Sequence, residues 1–268
     1  MQRIDPGGTA LLAIAERVAR DAGAVALRGR ATGVRDVSTK TTATDMVTEH
    51  DRACERMIVE SIRAARPNDS IVGEEGARLD GPSPYAWCID PIDGTTNFLY
   101  DLPMWAVSIG ITDDEGTLAG VVHAPASGET FAAVRGGGAT LNGAPLRCSS
   151  TANLADALVG TGFSYDAASR IRQARRVSRM IGQIRDVRRC GAASIDLCWV
   201  ACGRLDAYFE ENLHEWDVAA GDLIVREAGG RIGDFSGRPL RPAQVLASNP
   251  ALFDGLARLI RDADSDRE

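Results

Sequence analysis

Four apolar or β-branched runs follow one another through the middle of this chain, and a stretch of that kind reads as sheet. Tyr85–Asp90, Ala106–Thr112, Leu118–Ala124 and Thr130–Val134 are each of strand length, with turn residues between them. Asp113-Asp114-Glu115-Gly116 has the chemistry of a hairpin turn, and Gly136-Gly137-Gly138 with Asn142-Gly143 marks another tight reversal. Ahead of them, Leu11, Leu12, Ala15, Val18, Ala19, Ala22 and Val25 recur every three to four residues and predict a helix over Leu11–Leu27. A second helix is predicted from near Asp51 to Ala65, with Cys54, Met57, Ile58 and Ile62 on its apolar face. Pro67-Asn68-Asp69 stops it, and Ser70–Gly73 reads as a short strand.

The texture changes after about Ala152. Strand candidates at Ala157–Gly160 and Ala207–Glu210 alternate with helices predicted over Ala168–Ile184, Ile195–Ala201 and Asp217–Glu227. Gly229-Gly230 supplies the stop for the last of these. The pattern predicts two layered halves, an α+β half over residues 1–150 and an α/β half over 151–268. At 268 residues these are read as two packed layers or one large domain with a shared core.

The bulk chemistry excludes several classes of function. Hydrophobic residues make up 44% and charged residues 25%, as in a soluble globular protein. A net charge of -7 argues against nonspecific nucleic-acid binding, which needs an excess of Lys and Arg. No apolar run is long enough to span a membrane, and Met1–Gly8 carries no secretory signal. Cys54, Cys88, Cys148, Cys190, Cys198 and Cys202 match neither a disulfide framework nor a zinc site, so reduced thiols in the cytoplasm are expected. His123 and His214 fall in no ligand-spaced cluster.

The segment that carries chemistry is Trp87-Cys88-Ile89-Asp90-Pro91-Ile92-Asp93-Gly94-Thr95-Thr96-Asn97-Phe98. Here a strand is expected to end at Asp90 and the chain to turn through Pro91 and Gly94, with two acids three residues apart. A helix opening at Gly94-Thr95 would point free N–H groups and a positive dipole end at the same space. Acids that hold cations, beside N–H groups that hold oxygens, suit a phosphate bridged by metal ions. Glu74-Glu75, directly after Gly73, and Trp216-Asp217, at the start of a helix, are further acidic groups that can converge there. Oxygen donors of this kind suit Mg2+. Taken singly, each has a plain structural explanation as a turn, a solvated acid pair or a helix cap.

As an ordered set these residues resemble the inositol monophosphatase family. Asp90-Pro91-Ile92-Asp93-Gly94-Thr95-Thr96-Asn97-Phe98 is similar to its first signature, and Trp216-Asp217-Val218-Ala219-Ala220-Gly221 running to Gly230 is similar to its second. Gly73-Glu74-Glu75 matches the acidic pair and Lys40 through Asp51 the lysine-plus-acid segment, and the resemblance covers about Leu11 to Phe253. It implies a layered αβαβα sandwich of the inositol monophosphatase and fructose-1,6-bisphosphatase type, a homodimer, and lithium-sensitive, Mg2+-dependent hydrolysis of a phosphate ester by an activated water. By position, Glu74, Asp90 and the Ile92 carbonyl would hold one Mg2+, and Asp90, Asp93 and Asp217 a second. Glu75 would support a third through water, Asp51 and Thr95 would pair, Thr95 and Glu74 would activate the water, and Lys40 would lie near the metals.

The resemblance also implies a substrate. Glu210 matches an acid that accepts hydrogen bonds from inositol hydroxyls, and Gly191-Ala192-Ala193 a backbone segment beside the ring, where many relatives carry a hydroxyl-bearing residue in place of Ala192. Asp93, Gly94, Thr95 and Asp217 would complete the substrate contacts. Inositol monophosphate is the expected substrate; histidinol phosphate, nucleoside 3′,5′-bisphosphates and fructose 1,6-bisphosphate belong to rival enzymes with the same metal core. A different class of role comes from Arg170, Arg172, Arg175, Arg176, Arg179, Arg185, Arg188 and Arg189, which only Asp186 opposes in sequence. The chain resembles a bacterial branch of the family associated with transcription complexes, which would make this stretch an RNA or polymerase contact. A solvated helix face or a dimer rim is the reading favoured here.

Overall fold

The structure, a computed structural model, describes residues 6–31, 38–40 and 46–265. Residues 41–45 of the lysine-plus-acid segment, and 1–5 at the N-terminus, lie outside them.

The first part of the chain builds one large sheet and its outer cover. Helix α1 (Pro6–Ala31) is followed by the two-residue strands β1 (Ser38–Thr39) and β2 (Met46–Val47), and then by α2 (Glu49–Ala65). Strands β3 (Ser70–Gly73), β4 (Arg78–Leu79) and β5 (Ala86–Asp93) lead into the short helix α3 (Thr95–Leu99). Strands β6 (Ala106–Asp113), β7 (Gly116–Ala124), β8 (Glu129–Val134), β9 (Gly138–Leu141) and β10 (Ala144–Pro145) complete an eight-stranded sheet in the order β10-β9-β8-β7-β6-β5-β3-β4. The β3–β5 pairing is parallel, and the other pairings in this sheet are antiparallel.

The remainder alternates strand and helix: β11 (Leu158–Thr161), α4 (Ala167–Met180), β12 (Asp186–Arg188), α5 (Ala193–Ala201), β13 (Ala207–Glu211), α6 (Glu215–Glu227), β14 (Arg231–Gly233), β15 (Gln244–Ser248) and α7 (Phe253–Asp264). Its five strands form a mixed sheet in the order β12-β11-β13-β15-β14.

Three apolar clusters set five layers. Leu11, Val18 and Ala22 of α1 and Ile58 and Ile62 of α2 pack on Ile89, Ile109 and Val121 of the large sheet. Helices α5 and α6 fill the space between the sheets, where Leu197, Val200, Leu223 and Ile224 meet Val122, Phe131, Tyr208 and Val245. On the far side, Leu256, Leu259 and Ile260 of α7 cover Val159, Phe209 and Leu246. The order helix, sheet, helix, sheet, helix is the αβαβα sandwich. Burial on both faces explains why α5 is apolar all round, and burial on one face why α7 is apolar on one side only.

Several elements differ from the sequence reading. Strand β5 does not end at Asp90 but runs on to Asp93, with an irregularity in its register against β6. The predicted helix over Ala168–Ile184 stops at Met180 and gives way to one tight turn, Ile181–Gln183. Strands β1, β2, β4, β9, β10, β12, β14 and β15 and helix α7 were not anticipated. For α7 the signal was present, since Phe253, Leu256, Ala257, Ile260 and Ala263 recur at helical spacing.

Candidate active site

The register irregularity in β5 is what makes the site. Asp90 pairs with Ser108 and Asp93 with Ala106, so three residues of β5 span two of β6. In a regular strand, residues three apart face opposite sides of the sheet; one extra residue returns Asp93 to the side of Asp90. Pro91 sits in the bulge, where its missing N–H removes no ladder bond. Beyond it Gly94 turns left-handed at φ 89° and opens α3, as the Asp-Gly-Thr sequence suggested.

Helix α6 brings the third acid. Asp217 is not the first cap residue but stands three positions inside the helix, where its carboxylate accepts from the His214 N–H at 2.6 Å. Carboxylate oxygens of Asp90, Asp93 and Asp217 lie within 4.8 Å of one another. Asp93 is further pinned by α5: it accepts from the N–H groups of Ala193 at 3.2 Å and Ser194 at 2.7 Å, and from the Ser194 hydroxyl at 2.5 Å. Asp90 accepts from the Ile92 N–H at 3.0 Å.

Glu74 and Glu75 follow β3, and the buried Glu55 of α2 shapes their turn by accepting from the N–H groups of Glu75 and Ala77 at 2.7 and 2.9 Å. The Lys40 ammonium bridges the pair, donating to Glu74 Oε1 at 2.9 Å and to Glu75. On the other flank, the Thr95 hydroxyl lies 3.1 Å from Asp51, which accepts from the Thr48 N–H at 2.8 Å and caps the start of α2.

These groups line one cavity of about 450 Å3: Lys40, Glu74, Asp90, Ile92, Asp93, Gly94, Thr95, Gly191, Ala193, Glu210 and Asp217 all reach it. Asp51, Glu75 and Ala192 are not on its wall. Asp51 sits behind Thr95 and Glu75 behind Lys40, while the methyl of Ala192 faces Gly94, 3.2 Å from where a Cβ on that glycine would stand. Glu210 accepts from the Tyr208 hydroxyl and lies where Gly162 leaves room, since a Cβ at 162 would come within 2.1 Å of its carboxyl atoms.

Burial, and then the crowding of like charges, lifts these acids. Asp93 is pushed up to about 7 by burial and by Asp217, and Asp90 is raised well above its usual range by burial, Glu74, Asp93 and Asp217. Glu75 and Glu210 also rise to about 7, burial leading in each case. Burial pulls the Lys40 ammonium down, but Glu74 and Glu75 outweigh it and hold the ammonium above its ordinary value. A ring of oxygen donors with surplus negative charge and no thiol or imidazole ligand fits a hard divalent cation such as Mg2+.

Sequence reasoning missed Ser194, Glu55 and Asn97, whose side chain donates to the carbonyls of Met104 at 2.6 Å and Cys190 at 2.9 Å and so ties α3 to the 190–191 segment. It also missed His214 and Trp216 as wall residues; their rings stack at 4.9 Å. The arginine stretch is largely consumed within the chain. Arg172 and Arg176 pair with Glu211, Arg176 also with Asp264, Arg185 with Asp156 and Arg188 with Asp186, and Arg179 donates to the Ala263 carbonyl.

The layered fold and this acid-lined cavity are those of a phosphatase family, and comparison with known proteins agrees. Residues 9–265 match the model of the inositol monophosphatase family. The chain is 43% identical over 260 residues to Nus factor SuhB of Pseudomonas aeruginosa, covering 94% of this chain and 96% of that protein. The structure of extragenic suppressor protein suhB from Bartonella henselae superimposes with a TM-score of 0.89 at 34% identity, covering 94% of this chain and 98% of that one. A Thermotoga maritima IMPase does so with a TM-score of 0.85 at 34% identity, covering 92% and 95%. The chain belongs to the inositol monophosphatase family.

Proposed function

We propose that this protein is a Mg2+-dependent phosphomonoester hydrolase that converts inositol 1-phosphate and water to inositol and phosphate. The observation that carries the reading is the convergence of Asp90, Asp93 and Asp217, from two elements 124 residues apart in sequence, to within 4.8 Å. Glu74, Asp90 and the Ile92 carbonyl would hold one ion, Asp90, Asp93 and Asp217 another, and Glu75 a third through water. Bound Mg2+ would neutralise the phosphoryl oxygens and make water acidic enough to react near neutral pH.

The chain's own groups do the rest. The Thr95 hydroxyl, fixed by Asp51, orients the attacking water, and Glu74 takes its proton. Gly94 and the first N–H groups of α3 receive phosphoryl oxygens as charge builds on them. Lys40 offsets the charge of Glu74 and Glu75. Glu210, Asp93 and Asp217 accept hydrogen bonds from the alcohol, and the backbone of Gly191, Ala192 and Ala193 borders it. Residues 1–150 supply most of the acids and 151–268 supply Asp217 and Glu210, which is how we divide the chain into halves. Six free thiols and the absence of any helix long and apolar enough to cross a membrane, among the described residues, support a cytoplasmic setting. Lithium sensitivity and a homodimer are parts of the same proposal.

Asp90→Asn tests it: the variant should fold and release no phosphate, and near-normal turnover would contradict the assignment. A tenfold preference in kcat/KM for histidinol phosphate or a nucleoside 3′,5′-bisphosphate would move the substrate and keep the site; tenfold is about 1.4 kcal/mol of differential transition-state binding.

A second reading, association with a transcription complex, is favoured by the name Nus factor carried by the Pseudomonas aeruginosa relative. Against it, most of the arginines in 170–189 are already paired within the chain. Salt-sensitive RNA or polymerase binding that disappears when Arg175 and Arg189 are reversed to Glu would support it.

A further inference from the structure

Among the described residues, three other than glycine have left-handed backbone: Asp101 at φ 61°, Asn142 at φ 50° and Asn212 at φ 67°. These angles crowd a Cβ, and glycine takes them with no steric penalty. Two of the three side chains have work within the chain. Asp101 pairs with Arg30. Asn142 accepts from the Thr130 N–H at 2.9 Å and donates to the Gly128 carbonyl at 3.1 Å, which ties its hairpin together. The Asn212 side chain has no hydrogen-bond partner among the described residues.

Asn212 instead lines the acidic cavity, exposed, two residues beyond Glu210. It stands just past the end of β13, where backbone bonds alone set its turn. The Asn212 N–H donates to the Ala243 carbonyl at 3.1 Å, and the Leu213 N–H to the Pro242 carbonyl at 3.0 Å. Glu211, between the two cavity residues, is held by Arg172 and Arg176. None of these bonds uses the amide, so glycine would meet every requirement of the fold here. That asparagine tolerates left-handed angles better than most residues explains its preference over a branched side chain, not over glycine.

The amide places a donor and an acceptor on a pinned backbone beside Glu210, which accepts only when ionised. Hydroxyls both donate and accept, so an amide next to a carboxylate suits an alcohol that carries several. We propose that Asn212 is a specificity-determining residue that hydrogen-bonds a hydroxyl of the alcohol half of the substrate. The proposal rests on the phosphatase reading, which seats the alcohol against Glu210. The left-handed side chain is then a local strain that serves the ligand rather than the fold.

The test compares inositol 1-phosphate with cyclohexyl phosphate, the same ring without hydroxyls, in the full-length protein with Mg2+. Asn212→Gly should lower the ratio of kcat/KM for the first ester over the second by about 5-fold, the loss expected for one uncharged hydrogen bond. Its urea midpoint should be no lower than that of the wild type, because glycine keeps the turn without crowding. Asn212→Ala, which keeps the crowding and lacks the amide, should show the same fall in ratio at a lower midpoint, and so separates the amide from the freedom of the loop. A ratio within about twofold of wild type in both variants, with both esters turned over, overturns the role of Asn212 alone. A lower midpoint in Asn212→Gly also overturns it, since the amide would then serve the fold. Release of phosphate from neither ester by the wild type overturns the phosphatase reading and this role with it.

Discussion

The Thr95 hydroxyl lies 3.1 Å from Asp51 Oδ1 and also 3.1 Å from the Ile92 carbonyl oxygen. It has one proton, so it donates to one of these at a time, and its lone pairs remain available to a water in the cavity. Asp51 is itself fixed by the Thr48 N–H and hydroxyl, so the capping of α2 and the orientation of Thr95 are one arrangement. Thr95→Ala should lower kcat by about 10²-fold or more, within the range of a lost acid–base partner. Thr95→Ser, which keeps the hydroxyl, should recover most of it. Equal rates in the two variants would remove Thr95 from the chemistry.

The lifted acids make the Mg2+-free protein sensitive to pH. Asp93, Glu75 and Glu210 titrate near 7 when folded, against about 4 in an unfolded chain. Between those values the folded state holds more protons, so stability falls as pH rises from about 4 through 7. His123, lowered by burial, acts in the opposite sense, but it is a single group, and Asp90 and Asp196, raised by burial, add to the effect of the three acids. Thermal denaturation in EDTA should therefore show Tm falling between pH 5 and 8, and saturating Mg2+ should flatten that slope. A Tm in EDTA that rises steadily over this range would contradict the charge distribution described.

At Gly94 the backbone is left-handed at φ 89°, and a Cβ there would stand 2.8 Å from the Met104 carbonyl oxygen. Gly94→Ala should cost ~1–3 kcal/mol, which urea denaturation will measure as a lower midpoint. Activity should fall further than stability, because the start of α3 shifts with the turn. A variant as stable as wild type would show that the turn accommodates the methyl.

Gly162 acts at a distance from the reacting bond. A Cβ there would displace the Glu210 carboxylate, whose atoms lie within 2.1 Å of its position. Gly162→Ala should therefore reduce kcat/KM for inositol 1-phosphate by about 10-fold, and reduce it less for a small ester such as glycerol 2-phosphate that offers Glu210 fewer hydroxyls. An equal loss on both esters would show that Glu210 does not read the alcohol.

Much of this site was legible because its chemistry is local. Asp90 through Phe98 carries a strand end, a turn and a helix start within nine residues, and Trp216-Asp217 lies at a helix start of its own. Of the acids on the cavity wall, Glu74, Asp90, Asp93, Glu210 and Asp217 were singled out from sequence, and Asp166 and Glu211 were not. What stayed hidden depends on distant partners. Ser194 earns its place by meeting Asp93, 101 residues away, and nothing around Ser194 signals that meeting. The bulge at Pro91 is visible only against β6. The arginine stretch looked unopposed because Glu211, Asp264 and Asp156, which neutralise it, come from other elements. Strand β12, inside that stretch, was obscured by its charge, since Asp186-Val187-Arg188 has little of the composition of a strand.

The most direct measurement is phosphate release from inositol 1-phosphate with Mg2+, with EDTA, and with Mg2+ plus lithium. Release that requires Mg2+, stops in EDTA and falls with lithium is the predicted result. A folded protein that releases no phosphate from this or any other monoester in the presence of Mg2+ would contradict the account.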